Sequence, residues 1–158
     1  MPMFDMDACE LLDADHLAVK HLFVDYARLA TAMPQESAGD RQQLAMRICQ
    51  ELTVHAQVEE EIFYPALREA VPDAADLLDE AEEEHQQAKD LIAHIQACGA
   101  AGREMDDLVA ELAHAIEHHV KEERDELFPN ARAGMAGQLG PLADQLRERQ
   151  QALMGASA

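Results

Sequence analysis

His55-Ala-Gln-Val-Glu59-Glu-Glu-Ile-Phe-Tyr-Pro65 and His119-Val-Lys-Glu-Glu123-Arg-Asp-Glu-Leu-Phe-Pro129 lie on each other without a gap, and this pair decides the fold. In both, Glu follows His by four places and Pro follows it by ten. Upstream, Leu44, Ile48 and Leu52 fall opposite Leu108, Leu112 and Ile116, so each motif closes an apolar stripe at helical spacing. The segments before them correspond as well. Asp15-His16-Leu-Ala-Val-Lys20-His-Leu22 parallels Glu84-His85-Gln-Gln-Ala-Lys89-Asp-Leu91. The chain therefore reads as a duplicated helical hairpin, each copy with one His on its first helix and His-x-x-x-Glu on its second.

Working outward, the periodicity predicts four main helices. The first spans about Asp7 to Met33, with Leu12, His16, Val19, Phe23 and Tyr26 in its stripe, and Pro34 to Asp40 forms a loop. The second runs from Asp40 to Pro65, with Ala66 to Asp73 as a turn or short extension between prolines. A third runs from about Ala74 to Gly99 and a fourth ends at Pro129. The tail, about 138–154, carries Leu142, Leu146, Arg149 and Leu153 and predicts a shorter fifth helix packed across the bundle. The expected fold is all-α, an up-down-up-down four-helix bundle with a short C-terminal fifth helix. It is read as a single domain over 1–158, with the bundle at about 7–130. No appended signalling, DNA-binding or ligase domain is expected.

Composition agrees. The 158 residues suffice for one domain with a real core. Trp is absent, Phe and Tyr are few, and Leu, Ala, Met and Glu favour helix over strand. A formal charge of −20 repels phosphate backbones and anionic membranes, which disfavours both as partners. Cys9, Cys49 and Cys98 form no Cys-x-x-Cys pair and read as packing residues in a reducing compartment. The acidic segment Met1 to Asp15 has no leader pattern and no stretch is apolar enough to span a bilayer, so the expected location is cytoplasmic.

The chemistry follows from where the polar residues fall. Residues four apart on a helix point the same way, about 6 Å apart along the axis. His16, His55, His85, His119, Glu59 and Glu123 all stand in otherwise apolar stripes. A buried carboxylate costs several kcal/mol unless it is paired or bound to a cation. Two of them facing each other across a bundle call for a compensating charge, and a metal pair supplies it. Imidazole with carboxylate suits iron or manganese, and zinc is compatible, while the lack of Cys ligands opposes a structural zinc site.

These residues resemble the hemerythrin-like family, also called the HHE cation-binding domain, over roughly Asp13 to Pro129. Its marks here are His16 after an acidic residue, His55 with Glu59 leading to Pro65, the pair Glu84-His85, and His118-His119 with Glu123 leading to Pro129. The resemblance implies a non-haem di-iron centre inside the bundle. His16 and His55 would hold one iron, His85 and His119 the other, and Glu59 and Glu123 would bridge them together with an oxo, hydroxo or water ligand. Oxygen-carrying hemerythrins place two histidines four apart on the third helix. The positions four before and four after His85 are Ala81 and Lys89, so the fifth histidine is missing and more open positions are implied.

The leading expectation is a di-iron protein that binds or senses oxygen, nitric oxide or peroxide in a stress response, through no specified protein partner. One rival is enzymatic: ferroxidase action, peroxide reduction or iron-cluster repair. Another is a metal-free interaction bundle, which would leave the buried charges unpaired. His118, turned about 100° from His119, is expected at a seam or in solvent, and His21, His94 and His114 at the surface. Lys20 and Lys89 are expected to cover the bundle with their stems, although either could approach the metal pocket and steer an anion. Tyr26 and Tyr64 are expected to pack.

Overall fold

The computed structural model describes residues 6–157, with side chains to residue 155. The first five residues of the acidic N-terminal segment, read above as leaderless, lie outside the described residues. Asp7 opens α1 (Ala8–Ala32) through a capping box, its carboxylate accepting from the Glu10 N–H while the Glu10 carboxylate accepts from the Asp7 N–H. α2 (Ala38–Val58) passes through a π-helical turn (Glu59–Phe63) into the short α3 (Tyr64–Ala70). α4 (Ala75–Cys98) ends on Gly99, whose φ of 73° closes the helix in the left-handed region that glycine adopts without a Cβ penalty. α5 (Arg103–Glu122) repeats the second helix, passing through a π turn (Glu123–Leu127) into α6 (Phe128–Gly134). α7 (Leu139–Ser157) completes the described chain.

The four long helices form a ring in which α1 packs on α2, α2 on α4, α4 on α5 and α5 on α1. Connected neighbours run antiparallel, which gives the expected up-down-up-down bundle. α7 lies along α1 and α2 and buries Leu142 and Leu146. It reaches three residues further than the expected limit of 154. No helix among the described residues is long and apolar enough to cross a membrane.

Helix continues past Pro65 as the short extension read there, and also past Pro129, where the sequence suggests a stop. A proline inside a helix removes one N–H and drives its ring against the carbonyl four residues back. Here a widened turn comes just before each proline, and it accommodates the ring so that helix continues beyond it. The duplicated Glu-to-Pro spacing is thus the signature of a duplicated π turn.

Two apolar clusters divide the interior. One holds Leu12, Val58, Phe63, Leu67, Leu78, Leu127, Phe128 and Leu146. The other holds Val19, Ile48, Leu52, Ile92, Ile95, Met105 and Leu112. The polar residues of the duplicated motifs lie between them along the helices, so the site is walled by hydrocarbon at both ends. Cys9 and Cys49 belong to these clusters, and burial pushes their thiols up to about 12 and about 11, in keeping with packing roles. At the far end Arg41, buried, reaches Ser37, the Pro34 carbonyl and Asp106, and Tyr26 donates to the same Asp106. That network ties the first loop to α5.

The short helices α3 and α6 meet where Gly134 faces Val71. A Cβ on Gly134 would stand 2.3 Å from Val71 Cγ2, a side chain too stiff to swing away. Gly134→Ala is expected to cost about 1–3 kcal/mol in urea unfolding. Val71→Ala in the same chain should restore most of it, and additive losses in that double mutant would contradict the contact.

Candidate metal centre

All six residues singled out by the sequence come together. Glu59 and Glu123 have no solvent exposure, and His16, His55, His85 and His119 are buried around them. The imidazoles form two pairs, His16 with His55 at 4.8 Å between ring centres and His85 with His119 at 4.7 Å. Each carboxylate touches one member of each pair. Glu59 Oε1 lies 3.2 Å from His55 Nε2 and 3.1 Å from His85 Nε2. Glu123 Oε1 lies 3.1 Å from both His16 Nε2 and His119 Nε2.

A second row of carboxylates fixes the rings. Asp13 stands 3.2 Å from His16 Nδ1, Asp15 3.1 Å from His55 Nδ1, Glu60 2.9 Å from His85 Nδ1 and Glu84 2.8 Å from His119 Nδ1. With Nδ1–H directed outward, it is Nε2 of each ring that faces inward and gives up its proton when a metal binds, the tautomer a metal ligand needs. These carboxylates are themselves backed by polar groups. Arg124 donates to Asp13, Lys89 to Glu60 and Gln150 of α7 to Asp15.

Without a cation the inner groups are poorly satisfied. Among the described residues, His16 Nε2, His55 Nε2, Glu59 Oε2 and Glu123 Oε1 are buried and lack a hydrogen-bond partner. They are close to one another yet misaligned for hydrogen bonds, an arrangement that costs free energy in a dry interior. Donor atoms of His16, His55, Glu59 and Glu123 lie within 4.8 Å of one another, as do those of Glu59, His85 and His119. Four orphaned donors converging from three helices fit a cation placed among them.

The Tyr64 hydroxyl enters the same space. Its Oη is 3.2 Å from Glu123 Oε2, 3.4 Å from Glu59 Oε1, 3.3 Å from His85 Nε2 and 3.4 Å from His119 Nε2. Its ring stacks on His85 at 5.3 Å. The equivalent residue of the other half is Phe128, which stacks on His16 at 6.1 Å and brings no hydroxyl. Tyr64 was expected only to pack, so its place at the centre is a correction, whereas Tyr26 does stay at the far end on Asp106. Above the imidazoles a cavity of about 30 Å³ is walled by Leu52, Ala88, Ile92 and Ile116, with Lys89 as its cationic side chain.

Comparison with known proteins agrees with this geometry. Residues 7–131 match the Hemerythrin HHE cation binding domain. The chain belongs to that family. Within solved structures, the HHE cation-binding domain protein from Mycobacterium kansasii, a homologue of Rv2633c, superposes with a TM-score of 0.76 at 22% identity, covering 96% of this chain and 89% of that one. This likeness supports the bundle fold. A curated relative from Nostoc sp. (strain PCC 7120 / SAG 25.82 / UTEX 2576), named DNA nickase, is 30% identical over 136 residues. The match takes in 85% of this chain and 36% of that protein, so the HHE chain spans about a third of the relative's length.

Sequence reasoning missed the second-row carboxylates as well as Tyr64. Asp15 and Glu84 stand next to the histidines of the first helix of each hairpin, and Glu60 next to Glu59, but nothing in their spacing separates them from the many other acidic residues. Among the remaining histidines, His21, His94, His114 and His118 are exposed, as expected.

Burial opposes a charge on His55, but the neighbouring Glu59 and Asp15 outweigh it and raise the imidazole to about 10. Burial likewise disfavours a charged Glu59, and the imidazolium of His55 with the surrounding hydrogen bonds nevertheless holds it well below the usual carboxylate range. Because the folded His55 value lies above the ordinary 6.5, folding favours the protonated form. That stabilisation is complete below pH 6.5 and fades as pH rises through about 10. In chelator-treated protein the urea midpoint is expected to fall steadily across this window. A level midpoint would show that these pairs do not stabilise the metal-free fold.

Proposed function

We propose that the chain holds two iron ions, one between His16 and His55 and one between His85 and His119, with Glu59 and Glu123 spanning both. The observation that carries this reading is the set of four buried donor atoms without partners, two imidazole nitrogens and two carboxylate oxygens, facing one another in an apolar interior. Nitrogen and oxygen donors in this ratio suit iron, with manganese or zinc as competitors for the same atoms. When bound, such a pair supplies redox capacity and open positions for oxygen, nitric oxide or peroxide.

The protein's own residues decide how such a ligand is received. The hydrocarbon wall of the small cavity excludes bulk water and favours small, weakly polar molecules. Lys89 Nζ, 2.8 Å from Glu60, sets a positive charge at that wall and is 42% exposed. Tyr64 brings a hard oxygen donor to the His85 and His119 side, in the region the missing fifth histidine would serve. Burial, with Glu123 and Glu59 beside it, pushes its phenol well above the usual value, so it stays protonated until a cation replaces the proton.

That oxygen donor favours a second reading of the same centre. A phenolate stabilises the ferric state more than imidazole does, which suits peroxide reduction or ferrous-iron oxidation better than reversible oxygen carriage. The name of the cyanobacterial relative raises nucleic-acid cleavage, but most of that protein lies outside the match and a net charge of −20 opposes a polyanion here.

Anaerobic loading followed by metal analysis is expected to give two irons per chain, and His85→Ala to lose at least one. Well under one ion in the parent protein would sink the proposal. Tyr64→Phe should keep both irons while losing any visible absorption that arises from tyrosinate on iron, and an unchanged spectrum would remove Tyr64 from the ligand set. Lys89→Met is expected to weaken azide binding to the ferric protein by about threefold or more, the loss of one nearby positive charge in a partly screened site. Equal azide affinity would take Lys89 out of the ligand path.

A further inference from the structure

We propose that Glu84, His118 and Glu122 form a separate surface site for one divalent transition-metal ion, distinct from the buried centre. One residue before His119 and Glu123, the chain repeats the same four-residue spacing with His118 and Glu122. The offset turns this pair by about 100° onto the outer face of α5. Glu84, from α4, faces both pairs. Its Oε1 accepts from His119 Nδ1 at 2.8 Å, and its Oε2 lies 3.3 Å from His118 Nε2. His118 Nε2 is also 3.0 Å from Glu122 Oε1.

The three donor atoms stand within 4.8 Å of one another and come from two packed helices, so the site is partly preformed. Glu84 and Glu122 are largely covered, with side-chain exposures of 13% and 23%, whereas His118 is open to solvent at 63%. An open groove between α4 and α5 has His118 in its wall, so the imidazole is reachable from solvent. Glu84 Oε2 and Glu122 Oε1 both face the same His118 Nε2, so the two carboxyl groups stand side by side. Among the described residues no Lys or Arg pairs with Glu84 or Glu122. Like charges held together without a cationic side chain are relieved by a bound cation.

What separates this site from an ordinary acidic face is the imidazole aimed at both carboxylates. One imidazole with two carboxylates selects zinc, ferrous iron or manganese over magnesium, which prefers oxygen and retains its waters. Because Glu84 also orients His119, an ion here would sit one carboxylate away from the inner centre.

The test uses the full chain with its inner centre filled with iron, titrated with Zn2+ in excess Mg2+ and followed by calorimetry and metal analysis. One further Zn2+ per chain is expected. His118→Ala and Glu122→Gln should each weaken it by at least about tenfold, the scale on which metal sites respond to loss of a supporting group, with the iron content unchanged. Zinc anomalous scattering from soaked crystals should peak beside His118 Nε2. No additional Zn2+, uptake that Mg2+ suppresses fully, or equal affinity in both variants would overturn the site. Titrating the metal-free chain keeps this outcome apart from that of the inner centre. An ion lost on His118→Ala stands even where the buried residues take up none.

Discussion

Two carboxylates with no solvent exposure, set between two hydrocarbon layers, are the constraint on which the rest of this bundle depends. Left alone, each would cost several kcal/mol. Every nearby feature answers that cost. Four imidazoles surround the pair, four outer carboxylates fix those imidazoles, and basic or amide groups hold three of the outer carboxylates in turn. Even so, four inner atoms remain without partners, and this residue of unsatisfied polarity is what a cation would remove.

The same constraint shapes the backbone. Glu59 and Glu123 each begin a π turn, and each π turn precedes a proline in the continuing helix. In an α-helix the residue five places on is rotated by about 140° and points elsewhere. In a π turn it comes back over the first, as the Tyr64 N–H bonding to the Glu59 carbonyl shows. Tyr64 and Phe128 are thereby brought onto the imidazoles instead of the outer face. A helix without that widening would keep the glutamates inside and turn these rings away.

This explains what could be read from the chain and what could not. The fold was legible because hydrophobic periodicity and the duplicated hairpin describe the same four helices. The six inner residues were legible because a charged residue inside an apolar stripe is conspicuous. Tyr64 was hidden since the reading assumed 3.6 residues per turn throughout, and that period fails at the π turn. The stop expected at Pro129 failed for the same reason. Asp13, Asp15, Glu60 and Glu84 were hidden by abundance: with 32 acidic residues, a carboxylate on a polar face carries no signal until the fold aims it at an imidazole.

The duplication also shows which parts of the arrangement the two halves hold in common and which they reach differently. Behind His16 stands Asp13 of its own helix, held by Arg124 from the second helix of the other hairpin. Behind His85 stands Glu60 from the other hairpin, held by Lys89 of the same helix as His85. Glu60 and Arg124 occupy equivalent positions and carry opposite charges, yet both of these imidazoles, His16 and His85, end with a carboxylate on Nδ1 and a cation beyond it. For this pair of imidazoles the chain of contacts is held in common, and the residues supplying it exchange between helices. Tyr64 and Phe128 break that equivalence at the centre itself, since a hydroxyl reaches only the His85 and His119 side. A fold built as two similar halves thus presents two chemically different pockets, one with an oxygen donor already in place and one faced by a bare ring.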